Sequence, residues 1–125
     1  EQIGVVYCDI TGLKKVNDEQ GHEAGDRLII RACECLAGVF KGYGLYRIGG
    51  DEFLVLCLGI EEKDLREHVE KLRMDMKEHQ VTMAVGMIWK EHGPKDIDLL
   101  LNESERLMYE DKDRYYKEHG LKRRR

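Results

Sequence analysis

No apolar run in this sequence approaches the roughly 20 residues needed to cross a bilayer, and no charged-then-apolar leader opens it. Membrane contact by this domain is not expected, and a cytoplasmic setting is, whether or not a parent protein is anchored to a membrane. Nor is there a basic face. Net charge is −4 and the only basic concentration is the terminal Lys122-Arg123-Arg124-Arg125, read as a solvated end or a linker, so a nucleic-acid footprint is excluded. Cys-x-x-Cys pairs are also missing. Cys8, Cys33, Cys35 and Cys57 all fall in strand-like or helix-like segments, and Cys33 and Cys35, two apart on a helix, point in different directions. Neither a zinc site nor a redox pair is expected, and free thiols suit a reducing compartment.

What is present fits one globular domain over residues 1–125. A 42% hydrophobic content suffices for a core and 37% charged residues for its surface. The chain starts at Glu1, almost directly in an apolar strand, which reads as a piece of a longer protein.

The chain is organised around Arg47-Ile48-Gly49-Gly50-Asp51-Glu52-Phe53, a double-glycine turn with two adjacent carboxylates between apolar runs. If Gly49 and Gly50 take positive φ in a tight primed turn, Leu45 to Ile48 and Phe53 to Leu58 pair as antiparallel strands. Asp51 and Glu52 then stand at the tip, where both could reach one cation. A soluble hairpin with an acidic turn is the alternative, since Gly-Gly-Asp is ordinary turn chemistry.

Upstream, Ile3 to Cys8 is a continuous apolar run ending at Asp9, the pattern of a strand buried on both faces that delivers a carboxylate at its end. Thr11 to Lys14 offers backbone N–H groups in a glycine-bearing turn that could wrap phosphate oxygens, or simply start a helix. The polar segment from Asn17 to Asp26 breaks the pattern. Asn17 carries an amide donor and acceptor, and Asp26 has two oxygens suited to the N1–H and N2–H donors of guanine; each alone is as readily a turn or first-turn residue. His22 is read as a turn-packing residue. Glu23 to Phe40 is helical, with Leu28, Ile29, Ala32, Leu36, Val39 and Phe40 on its apolar side. Gly59 closes the second hairpin strand. Asp64 to Met76 is an amphipathic helix, Val81 to Trp89 a strand in which Gly86 marks a bulge or a close approach, and Gly93-Pro94 a break. A final helix starts near Asp96, a candidate cap, and runs toward Gly120 with Ile97, Leu100, Ser104, Leu107, Met108 and Asp111 inward and Lys112 beside that stripe. The order predicts an α+β architecture: an antiparallel-containing sheet with helices on one face.

Three motifs in order resemble one family, the GGDEF domains or diguanylate cyclases. They are Gly49 to Phe53; Asp9-Ile10-Thr11-Gly12-Leu13-Lys14-Lys15-Val16-Asn17-Asp18 with Gly21-His22-Glu23-Ala24-Gly25-Asp26; and Leu107-Met108-Tyr109-Glu110-Asp111-Lys112. The resemblance covers nearly the whole chain. It implies a palm-like, nucleotidyl cyclase-like fold whose central sheet is flanked by helices and carries a metal-binding β-hairpin, with Asp9 across from Asp51 and Glu52. It implies condensation of two GTP into cyclic di-GMP with release of two pyrophosphates in an antiparallel homodimer. Asp9, the Ile10 carbonyl, Asp51 and Glu52 would hold Mg²⁺, with Mn²⁺ as a substitute, and Asp51 would also activate the attacking hydroxyl. Lys14, Lys112 and the N–H groups of Gly12 and Leu13 would take the triphosphate, and Asn17 and Asp26 would read guanine.

Three departures qualify this. The family's product-inhibition motif, Arg-x-x-Asp, is replaced by Phe40-Lys41-Gly42-Tyr43, so that site is expected to be missing. An arginine common four residues beyond the phosphate lysine is Tyr116 here, leaving Arg114 or the tail as substitutes. The family's first helix is absent before Ile3, and with it the usual link to a sensory or regulatory domain, so this piece alone is expected to be a poor enzyme. A catalytically silent GTP-binding module that controls a neighbouring domain is the competing reading.

Overall fold

The computed structural model describes residues 1–121. The terminal Lys122 to Arg125 stretch lies outside the described residues. Eight elements follow one another: β1 (Ile3–Ile10), α1 (Leu13–Gln20), α2 (His22–Val39), β2 (Gly44–Arg47), β3 (Glu52–Leu58), α3 (Glu62–Glu78), β4 (Met83–Lys90) and α4 (Ile97–Glu118). The strands form one sheet in the order β2-β3-β1-β4, with every neighbouring pair antiparallel.

Strand β1 lies at the centre and is buried along its whole length, as its unbroken apolar run predicts. Alternation along the strands sorts the core into two layers. Val6, Cys8 and Ile10, with Phe53, Val55, Cys57, Met83 and Val85, pack against Leu28, Ala32 and Leu36 of α2 and Leu65, Leu72 and Met76 of α3. Val5 and Tyr7, with Leu54, Ala84 and Ile88, pack on the opposite side against Leu100 and Met108 of α4. Helices therefore cover both faces, not the one face expected from the order of elements. A hydrophobic period marks which stripe of a helix is buried but carries no information on which side of a sheet receives it.

Gly86 explains how α4 seats so closely. A Cβ on Gly86 would lie 2.3 Å from both the Met108 nitrogen and the Ser104 carbonyl oxygen. The close approach expected at this glycine is thus helix backbone against strand backbone. Asp96 caps α4, its side chain accepting the Asp98 N–H at 3.0 Å, as expected from sequence. Among the described residues no helix is long and apolar enough to cross a membrane. The cysteines are free; Cys8, Cys35 and Cys57 are buried and Cys33 half-buried, and burial pushes the Cys8 and Cys57 thiols up to about 12.

Three local expectations are corrected. The turn between β2 and β3 is not a two-residue primed turn: Gly49 and Gly50 are absent from the positive-φ positions, which are Gly12, Gly21, Gly42, Gly59, Gly120 and Gln80. The loop spans residues 48–51, long enough to reverse without a left-handed residue. It is closed by the Ile48 N–H donating to the Glu52 carbonyl (3.0 Å) and by the Arg47 guanidinium donating to the carbonyls of Gly49 (3.2 Å) and Gly50 (2.7 Å). Asn17 lies within α1, not in a loop, because the break is confined to Gly21 at φ 90°. His22 opens α2 and is exposed, so it packs no turn.

Candidate active site at the end of strand β1

Strand pairing delivers the carboxylates to one place. Asp9 sits opposite Glu52 in the β1–β3 register, and the Ile10 N–H donates to the Asp51 carbonyl at 2.8 Å. On its other side the strand pairs with β4, where Ile10 faces Met83. Asp9 belongs to the odd-numbered face of β1, the face that α4 covers. From that helix Lys112 Nζ donates to Asp9 Oδ2 at 3.1 Å, with both side chains largely buried. Two stretches over a hundred residues apart meet in this ion pair.

The pair is not balanced. Asp9 is only 4% exposed, and its Oδ1 accepts no hydrogen bond from a described residue. Burial pushes its carboxyl up to about 6 from an ordinary 3.8; Lys112 pulls it down and the neighbouring Asp51 carboxylate pushes it further up. Glu52 is raised as well, by burial first and then by the charges of Asp51 and Glu105. Carboxylates this close repel one another unless cations intervene, and Lys112 supplies only one positive charge.

The donor chemistry suits a hard divalent cation: carboxylate oxygens, a backbone carbonyl and a buried acceptor with no partner. Yet among the described residues no three His, Cys, Asp or Glu side chains converge as a metal-holding group. One oxygen of Asp9 is turned to Lys112 instead.

The phosphate and base candidates lie on the adjoining α1 and α2. Gly12 precedes α1 in a left-handed conformation at φ 80°, and no side chain caps that helix, so the N–H groups of its first turn have no cap partner. Lys14 is exposed, and no hydrogen bond or ion pair to another described residue is found for it. Lys112 and Lys14 thus differ: the first is held at the carboxylates, the second is on the surface of α1. Asn17 lies against Gly25 of α2, and Asp26 follows on that helix, exposed. The helical hairpin formed by α1 and α2 thereby brings Asn17 beside the turn that carries Asp26.

This arrangement coincides with a family match. Residues 1–117 match the family model described as "Diguanylate cyclase, GGDEF domain". The chain is a GGDEF domain. It is 30% identical over 122 residues to the bifunctional diguanylate cyclase/cyclic di-GMP phosphodiesterase MucR of Pseudomonas aeruginosa, covering 90% of this chain and 18% of that protein. It is 31% identical over 125 residues to the cyclic di-GMP phosphodiesterase PdeR of Escherichia coli, with the same coverage of 90% and 18%. Among solved structures it superposes on the active GGEEF domain of a diguanylate cyclase from Vibrio cholerae with a TM-score of 0.82 at 23% identity, over 91% of this chain and 78% of that one. The chain therefore spans under one fifth of the length of the two relatives.

In this GGDEF domain the sequence reasoning missed a second contact between β1 and α4. The Tyr7 hydroxyl donates to Glu105 Oε2 at 3.1 Å. Burial, then the Glu52 and Glu105 carboxylates, hold the Tyr7 hydroxyl well above its ordinary range. Tyr7 lies two residues before Asp9 and Glu105 seven before Lys112, so Tyr7–Glu105 and Asp9–Lys112 are two rungs on one strand face and one helix face. Only with the Asp9–Lys112 pair already given do those two periods point to this second rung. Asp111 was read only as part of an inward stripe; it also accepts the Val85 N–H at 2.8 Å and ion-pairs with Arg73 and Arg114. Arg114, a substitute considered for the arginine absent at Tyr116, is engaged there.

Proposed function

We propose that this GGDEF domain is one half-site of a diguanylate cyclase, which condenses two GTP molecules into cyclic di-GMP and two pyrophosphates when two copies face each other across a two-fold axis. The observation that carries the reading is the meeting of Asp9, Asp51 and Glu52 at the end of β1 with Lys112 of α4 against them. Asp9, the Ile10 carbonyl, Asp51 and Glu52 would hold Mg²⁺, or Mn²⁺ in its place. A bound ion of this kind supplies charge neutralisation at the phosphoryl group and positions the attacking and leaving oxygens.

The remaining roles belong to the chain's own residues. Asn17 and Asp26 orient guanine, and Lys14, Lys112 and the Gly12 and Leu13 N–H groups neutralise and hold the triphosphate. The 3′-oxygen of one GTP bonds to the α-phosphorus of the other, the bond to the β-phosphate oxygen breaks and pyrophosphate leaves. Asp51 accepts the hydroxyl proton. Each nucleotide presents its hydroxyl to the other, so a single copy cannot complete the ring.

A second reading is favoured by one feature of the site: Lys112 holds an oxygen of Asp9, and no three side chains are set for a metal among the described residues. It is a GTP-binding regulatory module without turnover, joined to a sensory or catalytic neighbour. That one similar protein is named only as a phosphodiesterase is in keeping with it. Incubating the full parent protein with GTP and Mg²⁺ and identifying the product separates the two. Cyclic di-GMP that vanishes in Asp51→Asn supports the cyclase; GTP binding with no product in the unmutated protein supports the silent module.

A further inference from the structure

Gly25 occupies a buried position early in α2, where nothing about the backbone demands glycine. Its φ is not among the positive values, so alanine would fit the helix, and alanine is the better helix former. What excludes a side chain is Asn17. A Cβ on Gly25 would stand 1.7 Å from Asn17 Oδ1, 2.8 Å from Cγ and 3.4 Å from Nδ2. These obstacles are the end of a short rotatable side chain, unlike the helix backbone that faces Gly86. The α1–α2 packing could therefore survive a methyl group at Gly25, but the amide could not stay where it is.

The amide's own state gives the second observation. Asn17 is half-buried between two helices, yet no hydrogen bond from its side chain to another described residue is found, nor one from Asp26, the next residue along α2. The Asn17 amide atoms are not among the buried polar atoms without a partner, so packing against Gly25 fixes the amide while its donor and acceptor stay open to water and to a ligand. Together, an amide with free hydrogen-bonding capacity and a carboxylate form a polar edge whose donors and acceptors complement those of a purine carrying both N–H and carbonyl groups.

We propose that Gly25 is a positioning residue for base selection: its missing side chain is the seat that aims the Asn17 amide at the guanine of GTP. The inference rests on the reading of Asn17 as a base contact. Helix stability is given up at Gly25 so that the amide keeps one orientation, the kind of local departure from propensity that collects at binding sites.

The test uses the full parent protein as wild type, Asn17→Ala, Gly25→Ala and the double variant. Thermal unfolding is followed, together with calorimetric binding of a non-cyclisable GTP analogue and of the matching ATP analogue. Gly25→Ala should unfold at or above the wild-type temperature, lose about tenfold in affinity for the GTP analogue, the worth of one to two hydrogen bonds, and narrow the GTP-over-ATP ratio. The double variant should bind no more weakly than Asn17→Ala alone, because both changes remove the same contact. Wild-type binding by Gly25→Ala, or losses that multiply in the double variant, would overturn the role. Unfolding of Gly25→Ala both with and without Asn17 would overturn it too, by making the glycine a packing residue. Wild-type binding by Asn17→Ala would sink the base-contact reading itself, and the inference with it.

Discussion

Replacing Asp9 with asparagine should flatten the acid side of this protein's stability profile when divalent cations are chelated. The Asp9 carboxyl is held up at about 6 against an ordinary 3.8, chiefly by burial, with Lys112 opposing and Asp51 adding to it. The folded state therefore keeps a proton over a pH range in which the unfolded chain has released it. The stability this contributes is complete below pH 3.8 and is lost as pH rises through about 6. At about 1.4 kcal/mol per pH unit the whole effect is about 3 kcal/mol, of which about 2 kcal/mol falls in the three pH units centred near 6. Asparagine has no proton to exchange. Urea unfolding of wild type and Asp9→Asn across this range, in chelator, reads Asp9 together with its interacting neighbours Asp51 and Lys112 as the difference between two curves, since titrations remote from the site are common to both. Parallel curves would refute the account of Asp9 as a strained buried acid. Adding Mg²⁺ near neutral pH should then stabilise wild type, by about 2.7 kcal/mol at a hundredfold excess over its dissociation constant, and Asp9→Asn much less.

Other outcomes follow from the same structure. Gly86→Ala should cost about 3 kcal/mol or more in urea unfolding, because the new methyl meets the α4 backbone at 2.3 Å and that helix must lift from the sheet; a cost under about 1 kcal/mol would show that α4 is free to shift. Asp26→Ser in the parent protein should relax the preference for GTP toward ATP while leaving Mg²⁺ binding in place, and equal use of both nucleotides by the unmutated protein would defeat the assignment of Asp26. Cyclic di-GMP should inhibit poorly, because Phe40 is buried and Tyr43 packs edge-on to His68 where an arginine and an aspartate would be needed; tight non-competitive inhibition in a competition assay would contradict this.

Much of the fold is a local matter and was legible along the chain. The apolar run of β1, the apolar stripes of α2, α3 and α4, the Asp96 cap and the breaks at Gly59 and Gly93 each depend on residues within a turn or two of one another, although Ile97, expected on the inward stripe of α4, is exposed in its first turn. The positions of Asp9 and Glu52 at strand ends, and of Asp51 in the loop beside Glu52, follow from the same periods. The fine geometry of the β2–β3 loop was not legible, because glycine permits positive φ without requiring it, and the Arg47 clamp on the two carbonyls closes the loop in another way.

Tertiary structure alone decided which side chain answers which. Lys112 and Asp9 are 103 residues apart, and Tyr7 and Glu105 are 98 apart; no period within β1 or α4 specifies that the two will be laid side by side. The placement of α4 opposite α2 and α3 was equally hidden, since an amphipathic helix is satisfied by either face of a sheet. Asn17 was legible as a polar residue in a motif, but its seat on Gly25 exists only because α1 and α2 fold back on each other at Gly21. Sequence by itself determined the inventory of groups and the strand or helix each rides on; the packing of β1 under α4 and of α1 on α2 determined which of those groups meet, because burial energy acts between surfaces and not along the chain.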